Sequence, residues 1–388
     1  MLQKYIIKKA LKRWNLGDFS VRFWDGEEVF VGKNPPKFHI IFNRSLGIGD
    51  IKRDLSLTMA ECYMNDVVDI QGDYDEIARV LYRFSNRFWL QKHDHVCSRI
   101  NKQEEASNIK AHYDLGNDFY RLWLDTTMSY SCAYFKTPND TLYAAQTNKI
   151  EHTLKKLDLK PNENLLDIGC GWGYLAIRAA QEYDVNVLGI TISKEQYKKA
   201  TQMVKELKLE HKIEIRLQNY QDLSMNEYFD KLVSVGMFEH VGKENLPLYF
   251  MKAKQVLKSG GIFLLHSILS AFEGKTNAFI DKYIFPGGYL PSLREVVSVM
   301  SECDFHLLLA ESLRLHYAKT LWDWYENFKG EIDEVRKMYD DRFIRMWSLY
   351  LKSCAAAFRV GSVDIYQLLL SKEVNNNIPW TQEYIYKD

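Results

Sequence analysis

Leu165-Leu166-Asp167-Ile168-Gly169-Cys170-Gly171-Trp172-Gly173 is an apolar strand that ends in an acid and passes into three glycines at alternate positions. Glycines at a strand-to-helix turn let backbone approach a ligand closely. A dinucleotide fold spaces them Gly-x-Gly-x-x-Gly to meet a pyrophosphate. Here the spacing is Gly-x-Gly-x-Gly, with a carboxylate two residues ahead. An acid there suits a cation, and S-adenosylmethionine carries an ammonium on its methionine end that Asp167 can orient directly or through water. The competing reading is a glycine-rich turn without a ligand.

The elements around the loop give it a fold. A helix is expected over 147–157, strands at 164–168, 185–190, 213–217, 230–235 and 261–266, and helices from the loop to about 182 and over 194–208. Strands alternating with helices predict a mostly parallel α/β sheet covered on both faces, with ligands beyond the strands' carboxyl ends. The expected fold class is therefore a Rossmann-like class I S-adenosylmethionine-dependent methyltransferase domain. After the second strand, the acid that would grip a ribose is missing, so Thr191, Ile192, Ser193 and Gln196 must serve the nucleoside. Gln218-Asn219-Tyr220 follows the third strand, where Asn219 can accept from an adenine amino group and Tyr220 can pack on the ring. The aromatic-rich segments 270–285 and 318–358 are candidates for a lid or an acyl-chain tunnel.

A chain of 388 residues is long for one hydrophobic core, so two domains are expected. Upstream, Val21-Arg22-Phe23-Trp24 and Phe38-His39-Ile40-Ile41-Phe42 read as strands of a small α+β domain, and residues 75–93 have helical spacing. The polar run Asn101-Lys102-Gln103-Glu104-Glu105 is the expected hinge, with the boundary near residue 105 (domains 1–105 and 106–388). In the first fourteen residues, Lys4, Lys8 and Lys12 oppose Ile6, Ala10 and Trp14. That segment can lie on an anionic membrane or pack on its own domain.

The 51 basic and 51 acidic side chains cancel, which argues against a nucleic-acid partner. Six isolated cysteines, without metal-ligand spacing, read as reduced thiols, and no metal is expected. With no signal peptide or spanning run in view, a cytoplasmic location is expected.

Beyond the loop, the chain carries His112-Tyr113-Asp114-Leu115-Gly116-Asn117-Asp118-Phe119, Met128-Ser129-Tyr130-Ser131-Cys132-Ala133-Tyr134-Phe135, Ser234-Val235-Gly236-Met237-Phe238-Glu239-His240-Val241-Gly242 and Phe285-Pro286-Gly287-Gly288. With these it resembles the cyclopropane fatty acid synthases and their mycolic acid cyclopropane synthase relatives over essentially its whole length. Ser45-Leu46-Gly47-Ile48-Gly49-Asp50 resembles the N-terminal domain of the phospholipid-acting members.

The resemblance implies methylene transfer from S-adenosylmethionine to the cis double bond of unsaturated phospholipid acyl chains, by a homodimer peripheral to the inner face of the membrane. It implies a bound bicarbonate as base, held at Cys132 and Ile268 largely through backbone, and at Glu239, His266 and Tyr317. It adds Tyr130 and Ser131 to the cofactor site, and matches Cys354 to a cysteine regarded as catalytic in the family. Bland readings stand beside these: Glu239 and His266 can be satisfied core residues, His240 has only adjacency, and Cys354 suits a packed helix. The competing functions are a sibling enzyme that gives a methyl-branched, methylene or hydroxylated chain, a non-catalytic lipid-binding protein, and a dehydrogenase.

Overall fold

The computed structural model describes residues 2–13, 17–50, 54–88, 115–274 and 276–387. Trp14, residues 89–93, the 101–105 hinge and His112 to Asp114 lie outside the described residues.

The N-terminal unit contains α1 (Leu2–Arg13), β1 (Phe19–Arg22), β2 (Glu28–Val31), β3 (Phe38–Phe42), α2 (Leu55–Met64), β4 (Val68–Gly72) and α3 (Tyr74–Phe88). Its strands form one sheet in the order β2-β1-β3-β4. Alternating apolar residues supply the core: Phe19 stacks on Phe38 with centroids 4.8 Å apart, beside buried Phe23, Phe42 and Leu11. The first strand thus runs over 19–22 instead of 21–24, because Phe23 leaves the ladder for a turn closed by the Gly26 amide onto its carbonyl. In α1, Lys4 pairs with Asp25 and Glu27, and Lys8 with Glu27. The basic face is turned onto the unit's own acids, while Ile6 is exposed. The apolar face expected at Ile6 is therefore not the buried one.

The second unit holds α4 (Asn117–Arg121), α5 (Leu142–Leu157), β5 (Asn164–Ile168), α6 (Tyr174–Tyr183), β6 (Asn186–Thr191), α7 (Lys194–Glu206), β7 (Ile213–Leu217) and β8 (Phe229–Val235). It continues with α8 (Leu246–Val256), β9 (Leu257–Ser270), α9 (Ala278–Tyr283), α10 (Leu293–Glu302), β10 (Phe305–Ser312), α11 (Arg314–Gly330), α12 (Ile332–Arg336), α13 (Asp341–Val360), β11 (Val363–Lys372) and α14 (Glu383–Tyr386). The sheet order is β10-β11-β9-β8-β5-β6-β7, and β11 alone runs against its neighbours. Near-continuous apolar runs such as Leu165 to Ile168 make strands buried on both faces. α5 begins at 142, not 147, because the Thr141 side chain caps Ala144.

The segments expected as a lid or an acyl-chain tunnel hold packed helices, together with a loop where Phe272 is exposed. α11 and α13 bury Trp324 and Trp347 against Phe119, Tyr120 and Trp123 of α4 and the residues after it. α9 docks on α2, where Glu61 accepts from Lys282 Nζ at 2.7 Å and from the Tyr283 hydroxyl at 2.9 Å. The Arg345 guanidinium of α13 donates to the carbonyls of Tyr63 and Val68, tying the two units together.

Candidate active site

The loop between β5 and α6 is shaped by its glycines. Gly169, Gly171 and Gly173 have φ of +84°, +56° and +86°, a region that costs other residues about 1–2 kcal/mol. A Cβ at Gly169 would lie 2.8 Å from Met237 Cβ, whereas one at Gly171 would meet nothing within 4 Å. Gly169 therefore lets the turn after β8 close in, and Gly171 keeps a surface open. The amides of Gly169 and Cys170 are both held by the Ile190 carbonyl, at 2.9 and 3.0 Å.

These residues border a cavity with about 1020 Å³ of empty space, partly open to solvent, at the carboxyl ends of β5, β6 and β8. Its walls include Tyr130, Ser131, Asp167, Gly169 to Trp172, Thr191, Ile192, Gln196 and Gln218 to Tyr220, all expected there. Gly173 and Ser193 are not in the wall. Gly173 faces Ala200 of α7, and Ser193 caps that helix by accepting the Gln196 amide. Thr191 Oγ1 donates to Gln196 Oε1 at 2.8 Å, so the two residues offered to a ribose first order each other. Asn219 Oδ1 accepts the Gln221 amide at 2.8 Å, which fixes the side chain at the cavity wall. Tyr220 is buried with its ring edge-on to Tyr249, 5.2 Å between centroids.

Asp167 is 2% exposed, and burial pushes its carboxyl up to about 7 despite the nearby Lys149 ammonium. Lys149 itself is 4% exposed, is brought down to about 8 by burial, and donates to Ser131 Oγ at 2.9 Å. The sequence reading missed this lysine. His240, credited there with adjacency alone, also lines the cavity, and its desolvated surroundings hold it to about 4.

The candidates for acceptor chemistry lie outside this wall and converge through strand pairing. Glu239 Oε1 accepts the Ile268 amide at 2.7 Å, and its Oε2 is buried without a hydrogen-bond partner among the described residues. Burial raises the carboxyl to about 7. The Ile268 amide, expected to face a small anion, is thus given to Glu239. His266 pairs with Val235 of β8, is 1% exposed, and has a buried Nε2 without a hydrogen-bond partner among the described residues.

Ile268 pairs with Ile365 of β11, whose carbonyl accepts the Leu313 amide. The Leu313 carbonyl in turn accepts from the Tyr317 amide at 3.0 Å and the Cys132 thiol at 3.9 Å. Cys132, Glu239, Ile268 and Tyr317 are thus linked through one chain of bonds and strand pairing, and His266 lies two residues before Ile268 on β9. Cys132 is fully buried, so its thiol is pushed far up from the usual range. Tyr130 shares a 2.8 Å hydroxyl contact with Tyr350, whose electrostatic neighbours include Tyr317 and Cys354. Burial pushes the Cys354 thiol up to about 12.

A sheet of this order, with a glycine loop closing on a buried acid, defines a class I S-adenosylmethionine-dependent methyltransferase domain. The same fold is seen in coclaurine N-methyltransferase at 20% identity and a TM-score of 0.64, covering 80% of this chain and 97% of that one. A family model for mycolic acid cyclopropane synthetase matches residues 100–368, and a model for a domain of unknown function matches 6–93. The chain belongs to the mycolic acid cyclopropane synthetase family.

It is 45% identical over 270 residues to the cyclopropane-fatty-acyl-phospholipid synthase of Escherichia coli K12, covering 69% of each chain. It is 38% identical over 378 residues to a probable fatty acid methyltransferase of Pseudomonas putida, covering 95% of this chain and 96% of that one. The solved cyclopropane synthase MmaA2 of Mycobacterium tuberculosis matches with a TM-score of 0.66 at 34% identity, covering 72% of this chain and all of that one. A mycolic acid cyclopropane synthase solved with SAH and CTAB matches at 37% identity and a TM-score of 0.66, covering 69% and 98%.

Proposed function

We propose that the chain is a cyclopropane synthase that adds a methylene from S-adenosylmethionine across the cis double bond of unsaturated phospholipid acyl chains. The observation that carries this reading is that Glu239 Oε2 and His266 Nε2 are both buried without a hydrogen-bond partner among the described residues, next to the wall residues His240 and Val235 of a cavity whose buried acid suits the donor's ammonium. Asp167 and the glycine loop would hold the methionine end, and Thr191 with Gln196 the ribose. S-adenosylmethionine supplies an electrophilic methyl group. An alkene has no proton to remove beforehand, so a base is needed only after the methyl has moved.

A bicarbonate ion, as the resemblance implies, would supply that base. The residues fit it: His266 can donate to an anion, and Glu239, steadied by the Ile268 amide, can accept its hydroxyl hydrogen. Packed aromatic walls around Tyr130, Tyr317 and Tyr350 would exclude water that could trap a carbocation as an alcohol.

The division into an N-terminal domain, here assigned to lipid or membrane association, and a catalytic domain with a split near residue 105 draws support for the division alone from two separate family matches, over 6–93 and 100–368. Peripheral contact with the membrane's inner face and a homodimer belong to the same proposal. No described helix is long and apolar enough to cross a membrane, consistent with access from the surface. The Pseudomonas putida relative favours a second reading, a methyl transfer without ring closure.

The deciding experiment incubates the protein with S-adenosylmethionine and vesicles of cis-unsaturated phospholipid. Release of S-adenosylhomocysteine with an upfield cyclopropane proton signal in the lipid is expected. An olefinic methylene or methyl-branched product without that signal would replace the proposal with the second reading.

A further inference from the structure

Behind His266 runs a chain of buried polar groups that the chemistry above does not use. Gln367 of β11 stands opposite His266 of β9 in the strand register, and both are 1% exposed. Gln367 Nε2 lies 3.0 Å from His266 Nδ1 and 3.1 Å from Thr153 Oγ1, while Gln367 Oε1 lies 2.6 Å from Lys156 Nζ. Lys156 is 1% exposed and also pairs with Glu311, which in turn meets His152 Nε2 at 2.8 Å.

The donor inventory decides which way the amide faces. A lysine ammonium donates and never accepts, so the atom of Gln367 beside Lys156 must be its oxygen. The reverse orientation would set two donors 2.6 Å apart. Thr153 agrees, because its hydroxyl hydrogen is committed to the Lys149 carbonyl at 2.8 Å, leaving its oxygen to accept. The Gln367 NH₂ therefore faces His266 Nδ1, which has to accept. A neutral imidazole that accepts at Nδ1 carries its hydrogen on Nε2, the buried atom that has no hydrogen-bond partner among the described residues. An imidazolium would oppose an Nδ1–H to the amide hydrogen.

We propose that Glu311, Lys156 and Gln367 are positioning residues that lock His266 as the neutral Nε2–H tautomer, a hydrogen-bond donor that does not take up the proton released on ring closure. The functional half of this rests on the reading that His266 faces a small anion. Burial first, then the Lys149 and Lys156 charges and His152, hold His266 well below the usual histidine range against an opposing pull from Glu311. Glu311, held at about 2 because its bonds to His152 and Lys156 outweigh its burial, keeps the lysine charged.

The test reads the tautomer directly, by long-range ¹H–¹⁵N correlation on the full chain labelled at histidine, with His266 assigned as the pattern lost in His266→Gln. The wild type is expected to show the Nε2–H pattern unchanged from about pH 6 to about pH 9. An Nδ1–H pattern, or titration in that range, overturns the proposal without any variant. Gln367→Glu, whose carboxylate accepts from both neighbours, is expected to move the hydrogen to Nδ1. It should lower kcat about 100-fold, with KM for S-adenosylmethionine changed less than twofold; a moved hydrogen with unchanged kcat overturns the functional half. The tautomer is measured on the protein alone, whereas bicarbonate depletion of the wild-type assay tests the anion reading, so the two can fail separately.

Discussion

Glu239 and Ile268 are joined by a 2.7 Å hydrogen bond from the Ile268 amide to one carboxylate oxygen, while the other oxygen is buried without a partner among the described residues. In Glu239→Gln the side-chain oxygen can keep the Ile268 bond, so the fold and the donor cavity should be retained. The new NH₂ cannot accept a hydroxyl hydrogen. Turnover should fall between about 100- and about 10,000-fold, while calorimetric affinity for S-adenosylhomocysteine changes less than twofold. Unchanged turnover at saturating lipid and bicarbonate would remove Glu239 from the chemistry.

Asp167 gives the unliganded protein a pH dependence of defined sign. Its carboxyl lies at about 7 instead of 3.8, so the folded state binds its proton more tightly than the unfolded chain does. The group therefore costs stability progressively as pH rises from about 4 to about 7, and the cost is complete above that. A bound ammonium offsets it. Affinity for S-adenosylmethionine should rise with pH up to about 7 and fall again near 8 as the ligand's amino group loses its proton. Asp167→Asn should weaken binding and flatten the rising limb in calorimetry; a rising limb that persists would assign it to another group.

The two glycines of the loop should separate stability from binding. Gly169→Ala adds a contact 2.8 Å from Met237 Cβ to the cost of its positive φ, for a loss of about 3 kcal/mol in denaturant unfolding. Gly171→Ala, with open space around the new methyl, should cost about 1–2 kcal/mol but impair donor binding more. Equal losses of stability would mean that the loop relaxes around Met237.

Cys354→Ala should keep most of the wild-type turnover. Its thiol is raised to about 12 by burial, so almost none is thiolate at neutral pH, and attack on an alkene requires no sulfur nucleophile. The check is the initial rate together with the rate of labelling by iodoacetamide. A loss beyond about 100-fold would return the cysteine to the reaction.

The loop at 169–173 and the strands at 164–168 and 213–217 were legible because short-range pattern determines them: apolar runs, glycines and helix caps act over a few residues. Lys149 was not, since a lysine on an amphipathic helix reads as part of a solvated face until tertiary packing buries it beside Asp167. Strands β10 and β11 and the partner of His266 were also missed. Gln367 is 101 residues from His266 in sequence, and that pairing leaves no periodic trace. Glu239, His266 and Tyr317 stood out through the family resemblance, while the links of Glu239 and Tyr317 to Ile268, Ile365 and Leu313 depend on strand register.

β11 comes after every other strand in the chain yet lies inside the sheet, between β9 and β10. A nascent chain can therefore assemble its donor loop well before β11 has been synthesised, while β9 still presents an unpaired edge open to association with other chains. The contact of Gln367 with His266 waits for that last insertion. The order of synthesis thus withholds the orientation of His266 until the sheet is closed.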